Sequence, residues 1–244
     1  PAPVIRQRFE QEVQATAQLR CPHTVTVYDY GTAPDGTFYY VMELLEGLDL
    51  NALVQQHGPL PPERVVFLLH QVLQSLEEAH AVGLVHRDIK PENVFLCRWG
   101  VQSDFVKVLD FGLALSIRLP ADERLSTPDS VHGTPAFMAP EQALQKEVDG
   151  RADLYAVACL GYWLLTGKTV FEADSPVGYI VAHVSEDPTP PGGHEELDAL
   201  LLETLRKDPD QRPQTAAEMR RRLPLRGAWS EEDAEAWWKE FRSS

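Results

Sequence analysis

The chain has 244 residues, of which 43% are hydrophobic, enough for one large domain or two closely packed lobes. Its 22 lysines and arginines stand against 37 aspartates and glutamates, a formal charge of −15. So acidic a surface repels phosphate backbones and argues against generic nucleic-acid binding. Cys21, Cys97 and Cys159 are scattered, with no C-x-x-C pair. That argues against a disulfide scaffold or structural zinc and points to a reducing, cytoplasmic setting. The longest apolar run, residues 154–165, is too short to span a bilayer and reads as a buried helix. No secretory signal is visible. The chain starts Pro-Ala-Pro rather than with Met, so its natural start is expected upstream.

Residues 4–19 read as a helix with Phe9, Val13 and Ala17 on one side, closed by Pro22. Residues 25–30 and 38–44, rich in Val, Tyr and Phe, flank Asp35-Gly36 and predict a hairpin. Gly47 begins a polar connector, and 51–56 form a short helix ended by Gly58-Pro59. Pro61-Pro62-Glu63 opens a long helix running to about Val82, with Gly83 as its stop signal. The apolar runs 84–85, 94–97 and 105–109 suit small strands that hold a site. Residues 113–135 form a polar stretch whose length marks a functional loop. Helices are then expected at 140–146, 151–166, 175–185, 194–206 and 214–222, and a last one after Ser230, an N-cap with Asp233 three residues on. The pattern predicts an α+β chain: a partial small lobe (helix plus β-hairpin) on a mainly helical larger lobe. The boundaries fall at 1–46 for the partial small lobe, 47–227 for the large lobe and 228–244 for a helical tail.

The string His86-Arg87-Asp88-Ile89-Lys90-Pro91-Glu92-Asn93 carries the strongest chemical signal. Phosphoryl transfer needs a positioned hydroxyl, and cations where charge sits on the phosphates. Asp88 can accept a hydroxyl's hydrogen bond and take its proton. Lys90, two residues on, shares a face with it in extended backbone and can meet the same phosphate. Asn93 offers a neutral oxygen to Mg²⁺. Asp110-Phe111-Gly112, after an apolar run, adds a hard anionic oxygen ligand, an apolar plug and a flexible step.

With Gly133-Thr134-Pro135, Ala139-Pro140-Glu141, Asp153 and the run Asp208 to Pro213 in the same order, the sequence resembles the protein kinase family from about Arg8 to Leu223. The likeness is to its Ser/Thr branch and, more softly, to the eukaryotic-type kinases of bacteria. The resemblance implies a kinase fold, ATP and Mg²⁺ as cofactors, and transfer of the γ-phosphate to Ser or Thr hydroxyls of proteins in signalling. By motif, Asp88 corresponds to the catalytic base, Lys90 to the phosphate-contacting lysine, and Asn93 and Asp110 to the metal ligands. Glu141 and Arg212 match a buried ion pair, and Asp153 a buried carboxylate that holds the catalytic loop. His86 and Phe111 match members of an apolar stack. Glu12 matches the helix glutamate that grips an ATP-positioning lysine. Met42 matches the gatekeeper, Glu43 and Leu45 main-chain contacts to adenine, and Asp49 a ribose ligand; Met42, Tyr39 and Tyr40 read equally well as plain core. Lys90 and Thr134 follow the Ser/Thr pattern. Arg87 suggests pairing with a phosphate on the loop that carries Ser126, Thr127 and Ser130, as sites of autophosphorylation. Trp229, Trp237 and Trp238 read as a cap on the large lobe.

Two family parts have no counterpart: neither a G-x-G-x-x-G loop nor a lysine-bearing strand precedes the first helix. The expectation is an N-terminally truncated kinase whose 244 residues alone transfer little or no phosphate. The alternative is a pseudokinase, a kinase-fold module that binds a partner without catalysis.

Overall fold

The computed structural model describes residues 13–34, 37–111, 135–224 and 227–242. Residues 13–18 are helical (α1), and Val13 and Thr16 turn inward, at 1% and 4% exposure. Strands β1 (Val27–Thr32) and β2 (Phe38–Met42) pair antiparallel as the expected hairpin.

The polar connector expected at Gly47 is instead a strand, β3 (Gly47–Asp49). It pairs with β4 (Val94–Trp99), which pairs in turn with β5 (Gln102–Val108). Gly47 lies so close to its neighbour that a Cβ there would sit 2.1 Å from the Leu96 carbonyl oxygen, so the glycine admits the pairing. Three residues in a polar context carry no alternation to read, and β3 exists because β4 offers it an edge.

The segment before the hairpin joins the two parts. Val25 N donates to Val108 O and Val108 N to His23 O, so a stretch counted by sequence in the small lobe lies along β5. On the other side of it, Thr24 Oγ1 meets Ser75 Oγ at 2.7 Å, and Glu78 accepts from the backbone of Arg20 and Cys21.

The large lobe is built on two helices. In α3 (Pro62–Ala81), Leu68, Leu69, Val72, Leu73 and Leu76 have no exposed surface. At about 1.5–3 kcal/mol per fully buried side chain, this stripe outweighs any local helix preference. Helix α5 (Gly150–Thr166) is apolar nearly all round, as a core helix must be, and Gly167 closes it at φ 68°. Around them lie α2 (Leu50–His57), the short α4 (Pro140–Ala143), α6 (Pro176–Ser185), α7 (Glu195–Thr204) and α8 (Ala216–Arg222). No helix among the described residues is long and apolar enough to cross a membrane.

The last helix, α9 (Glu231–Arg242), begins where expected: Ser230 Oγ accepts from Asp233 N, and Asp233 Oδ2 accepts from Ser230 N. Trp237 and Trp238 pack on the core of the large lobe. They also enclose a buried ion pair. Arg64 of α3 and Asp104 of β5, both without exposed side-chain surface, meet at 2.7 Å. The Trp237 ring lies 3.8 Å from the Arg64 guanidinium carbon, and the Trp229 and Trp238 indoles donate to Asp104. The tail thus covers this charge pair and adds two donors to its carboxylate, while Arg64 Nη1 is buried without a hydrogen-bond partner among the described residues.

Candidate active site

The turn after α3 carries residues 84–93. Lys90 Nζ donates to Asp88 Oδ2 at 2.8 Å, and Asn93 Nδ2 donates to the same oxygen at 3.1 Å and to Asp88 O at 2.8 Å. Asp88 and Lys90 keep about a fifth of their side-chain surface open, so a partner can reach them. The strands bring Asp110 alongside. Val94 opens β4 opposite Val108, the last residue of β5, and Leu109 N donates to Asn93 O at 2.9 Å. Asn93 and Asp110 therefore flank one strand junction, although 17 positions separate them.

The loop backbone is held from below. Asp153 of α5 is 1% exposed and accepts from His86 N (2.8 Å), Arg87 N (2.7 Å) and His80 Nε2 (2.8 Å). Arg87 has φ 67°, a left-handed conformation that costs a non-glycine residue roughly 1–2 kcal/mol. Two charge-assisted bonds to one carboxylate offset that cost. His86 is fully buried, its ring centroid 4.6 Å from that of Phe111. Its Nε2 donates to Leu109 O at 2.7 Å and its Nδ1 accepts from Asp88 N at 3.2 Å. Both nitrogens are engaged, and the histidine serves as packing.

The residues assigned to nucleotide contact are placed as follows. Met42 ends β2 and is 40% exposed, and Tyr39 is 44% exposed, so neither is plain core. Tyr40 donates from its phenol to Asp110 Oδ1, a contact the sequence does not announce. Burial, and then the adjoining carboxylate, raise the phenol pKa well above its usual value. Glu43 and Leu45 lie in the connector from β2 to β3. The Glu43 carboxylate turns inward to Lys107 Nζ at 2.7 Å and also accepts from Thr26 N. Burial opposes ionisation of Glu43, but these bonds outweigh it and hold the carboxyl below its usual range. Asp49 Oδ1 accepts from Ala52 N and caps α2, so that oxygen is already engaged in the fold. Glu12, Gly112, Thr134, Ser126, Thr127 and Ser130 lie outside the described residues.

Lys107 is the clearest residue that sequence reasoning missed. A lone lysine inside the apolar run 105–109 was a signal available in the sequence, because a strand buried on both faces tolerates a charge only with a partner.

The segment Pro135–Phe137 and α4 flank the loop on its other side. Gln142 Nε2 donates to Arg87 O at 2.9 Å. Glu141 and Arg212 form a buried bidentate pair, at 2.7 and 2.9 Å. Deeper still, His183 is fully buried between Tyr155 OH on Nδ1 (2.8 Å) and Ala136 O on Nε2 (3.0 Å). Burial pushes the His183 pKa down from 6.5 to about 4, against the Ala136 carbonyl, which raises it. The unfolded chain thus binds this proton more tightly than the folded one. The stability contributed by the neutral ring is complete above pH 6.5 and is lost as the pH falls toward 4. A shift of this size corresponds to about 3 kcal/mol. Denaturant unfolding of wild type and His183→Gln between pH 7 and 4 should show their difference in stability changing by about that amount. A difference that stays flat across this range overturns the assignment.

The chain is similar to known proteins of one family. A profile of the protein kinase domain matches residues 3–222. The serine/threonine-protein kinase pkn3 of Myxococcus xanthus is 40% identical over 218 residues, which is 86% of this chain and 40% of that protein. The serine/threonine-protein kinase PknB of Mycolicibacterium smegmatis is 41% identical over 221 residues, 87% of this chain and 35% of that protein. The crystal structure of the PknI kinase domain from Mycobacterium tuberculosis matches with a TM-score of 0.70 and 25% identity, over 95% of this chain and 80% of that one. The chain belongs to the protein kinase family. Members of this family use ATP with a divalent cation. The chain spans less than half the length of the two curated relatives named here.

Proposed function

We propose that the protein carrying this chain is an ATP-dependent serine/threonine protein kinase that uses Mg²⁺ and phosphorylates other proteins in the reducing interior of the cell. The observation that carries this reading is the meeting of Asp88, Lys90 and Asn93 on one carboxylate oxygen, one strand junction from Asp110. Lys90 and Asn93 both take Oδ2 of Asp88, and Oδ1 is the oxygen we assign to the acceptor. There Asp88 orients a Ser or Thr hydroxyl and receives its proton as the hydroxyl oxygen bonds the γ-phosphorus and the bond to the bridging oxygen breaks. Lys90 balances charge on the phosphate.

The donor set fits Mg²⁺. Asn93 is oriented through its amide nitrogen, which leaves the carboxamide oxygen for a cation, and Asp110 adds a carboxylate. Mg²⁺ is usually held by one or two carboxylates together with substrate phosphates. Bound ATP and Mg²⁺ would supply the phosphoryl group and neutralise its charge. The Glu43 and Leu45 main chain and Met42 would face adenine, Asp49 the ribose, and Glu12 an ATP-positioning lysine. Arg87 Nε is buried with no partner among the described residues. A phosphate on Ser126, Thr127 or Ser130 would provide one. The free state of Cys21, Cys97 and Cys159 supports the reducing setting.

One observation favours a second reading, a kinase-fold module without catalysis: the Tyr40 phenol occupies an oxygen of the proposed metal ligand Asp110. The test is incubation of the full-length protein with γ-labelled ATP and a mixture of Ser- and Thr-containing protein substrates. Label on Ser or Thr, abolished by EDTA and restored by Mg²⁺, is the expected result. No transfer with any divalent cation supports the module instead. Mass spectrometry of the same active sample that finds all three loop hydroxyls unmodified removes the autophosphorylation part of the proposal.

A further inference from the structure

The loop bearing Asp88 is tied to a neighbouring segment of the large lobe. Gln142 ties the short helix α4 to the backbone of Arg87, one residue before Asp88, and its Oε1 accepts from Ala139 N at 3.1 Å. The stretch 135–142 therefore forms a wall against the backbone of the loop that bears Asp88. Its near end is fixed by Gln142, and its far end, Pro135–Phe137, is fixed by His183 of α6.

The hydrogen bonds around His183 agree on one tautomer. Tyr155 OH can donate to Nδ1 only if that nitrogen carries no proton, and Nε2–H then donates to the Ala136 carbonyl. Phe171 packs edge-on to the ring at a centroid distance of 5.0 Å and blocks rotation. Tyr155 is itself held, with the Arg212 guanidinium carbon 4.9 Å from its ring centroid and Arg212 paired to Glu141. A single connected set, Glu141, Arg212, Tyr155, His183 and Ala136, thus links both ends of the wall through the large lobe. The two bonds fix the ring's orientation and, through Nε2–H, the direction of the Ala136 carbonyl.

We propose that His183 is a positioning residue for the protein substrate: by holding the Ala136 carbonyl it sets the wall against which the residues flanking the acceptor hydroxyl lie. This rests on the kinase reading above. Loss of this hold should let the Pro135–Phe137 turn move and weaken substrate docking, while the nucleotide side, built on β2, β3 and the β4–β5 junction, stays in place.

The test uses the full-length protein with His183→Leu, His183→Gln and Tyr155→Phe. Steady-state kinetics are measured separately against a peptide substrate and against ATP. His183→Leu should raise KM for peptide roughly tenfold, the factor expected from losing directional bonds at a docking surface, and leave KM for ATP unchanged. His183→Gln, whose amide can donate to Ala136 O, should recover most of the loss. Tyr155→Phe keeps the ring and removes one bond, and should raise peptide KM by about two- to threefold, which keeps the test open if the Leu variant does not fold. An active wild type with unchanged peptide KM in the variants overturns this inference alone. Equal rises in both KM values indicate general loosening and overturn it as well. A wild type that phosphorylates no protein removes both the function and this inference.

Discussion

Replacing Asp88 with Asn in the full-length protein is expected to lower kcat by about 10²–10⁴-fold, the range for loss of a positioned general base, with little change in KM for ATP. The substitution is nearly isosteric. Its amide oxygen can still accept from Lys90 and Asn93, which now hold Oδ2 at 2.8 and 3.1 Å. The backbone position is fixed independently, by Asp88 N on His86 Nδ1 and by Asp153 beneath His86 and Arg87. Fold and nucleotide binding should therefore survive, and what disappears is the charge that receives the hydroxyl proton. Thermal unfolding alongside kinetics separates the two effects. A variant that melts like wild type and retains activity within tenfold would remove Asp88 from the role of base.

The second large effect is on stability. Asp104→Ala should destabilise the protein by about 3–5 kcal/mol, the range for breaking one half of a buried ion pair. The carboxylate accepts from Arg64 Nε at 2.8 Å, Arg64 Nη2 at 2.7 Å, Trp238 Nε1 at 2.7 Å and Trp229 Nε1 at 3.2 Å. Its removal leaves a guanidinium with no exposed surface and two indole donors without an acceptor. Asp104 also sits at φ 55°, which Asp tolerates better than Ala, so the backbone adds to the loss. For a domain of this size the melting temperature should fall by roughly 10 °C. The double replacement Arg64→Met with Asp104→Asn should recover a substantial part, because removing both charges removes the desolvation cost as well and Asn tolerates φ 55°. A single variant within 1 kcal/mol of wild type, on the scale of an ordinary surface change, would show that the tail does not depend on this pair.

The tail shows how far pattern alone could go. Ser230 and Asp233 were legible as a helix start because a cap is a contact across three residues. Trp237 and Trp238 were legible as packing because tryptophans on a helix are more often buried against a core than left as a docking surface. That they close over Arg64 and Asp104 was not legible. Arg64 stands in the first turn of a helix and Asp104 at the start of a strand, where single charges ordinarily face water. For Lys107 the need of a partner was legible in the apolar run 105–109, but Glu43, in a connector, was not legible as that partner.

The residues proposed to carry the chemistry, and their order along the chain, are legible without any coordinates. Asp88, Lys90 and Asn93 fall within six residues, so their convergence needs only one turn. Helix starts and stops at Pro62, Gly83 and Ser230 are likewise matters of local stereochemistry. Tertiary structure alone decided what depends on elements docking across long separations. It made a strand of Gly47–Asp49, put Tyr40 on Asp110, and placed His183 under Ala136, 47 positions away. Local patterns report which face of an element is apolar. They do not report which buried polar group will find its partner, because that is settled only when the faces meet and each desolvated donor must be satisfied.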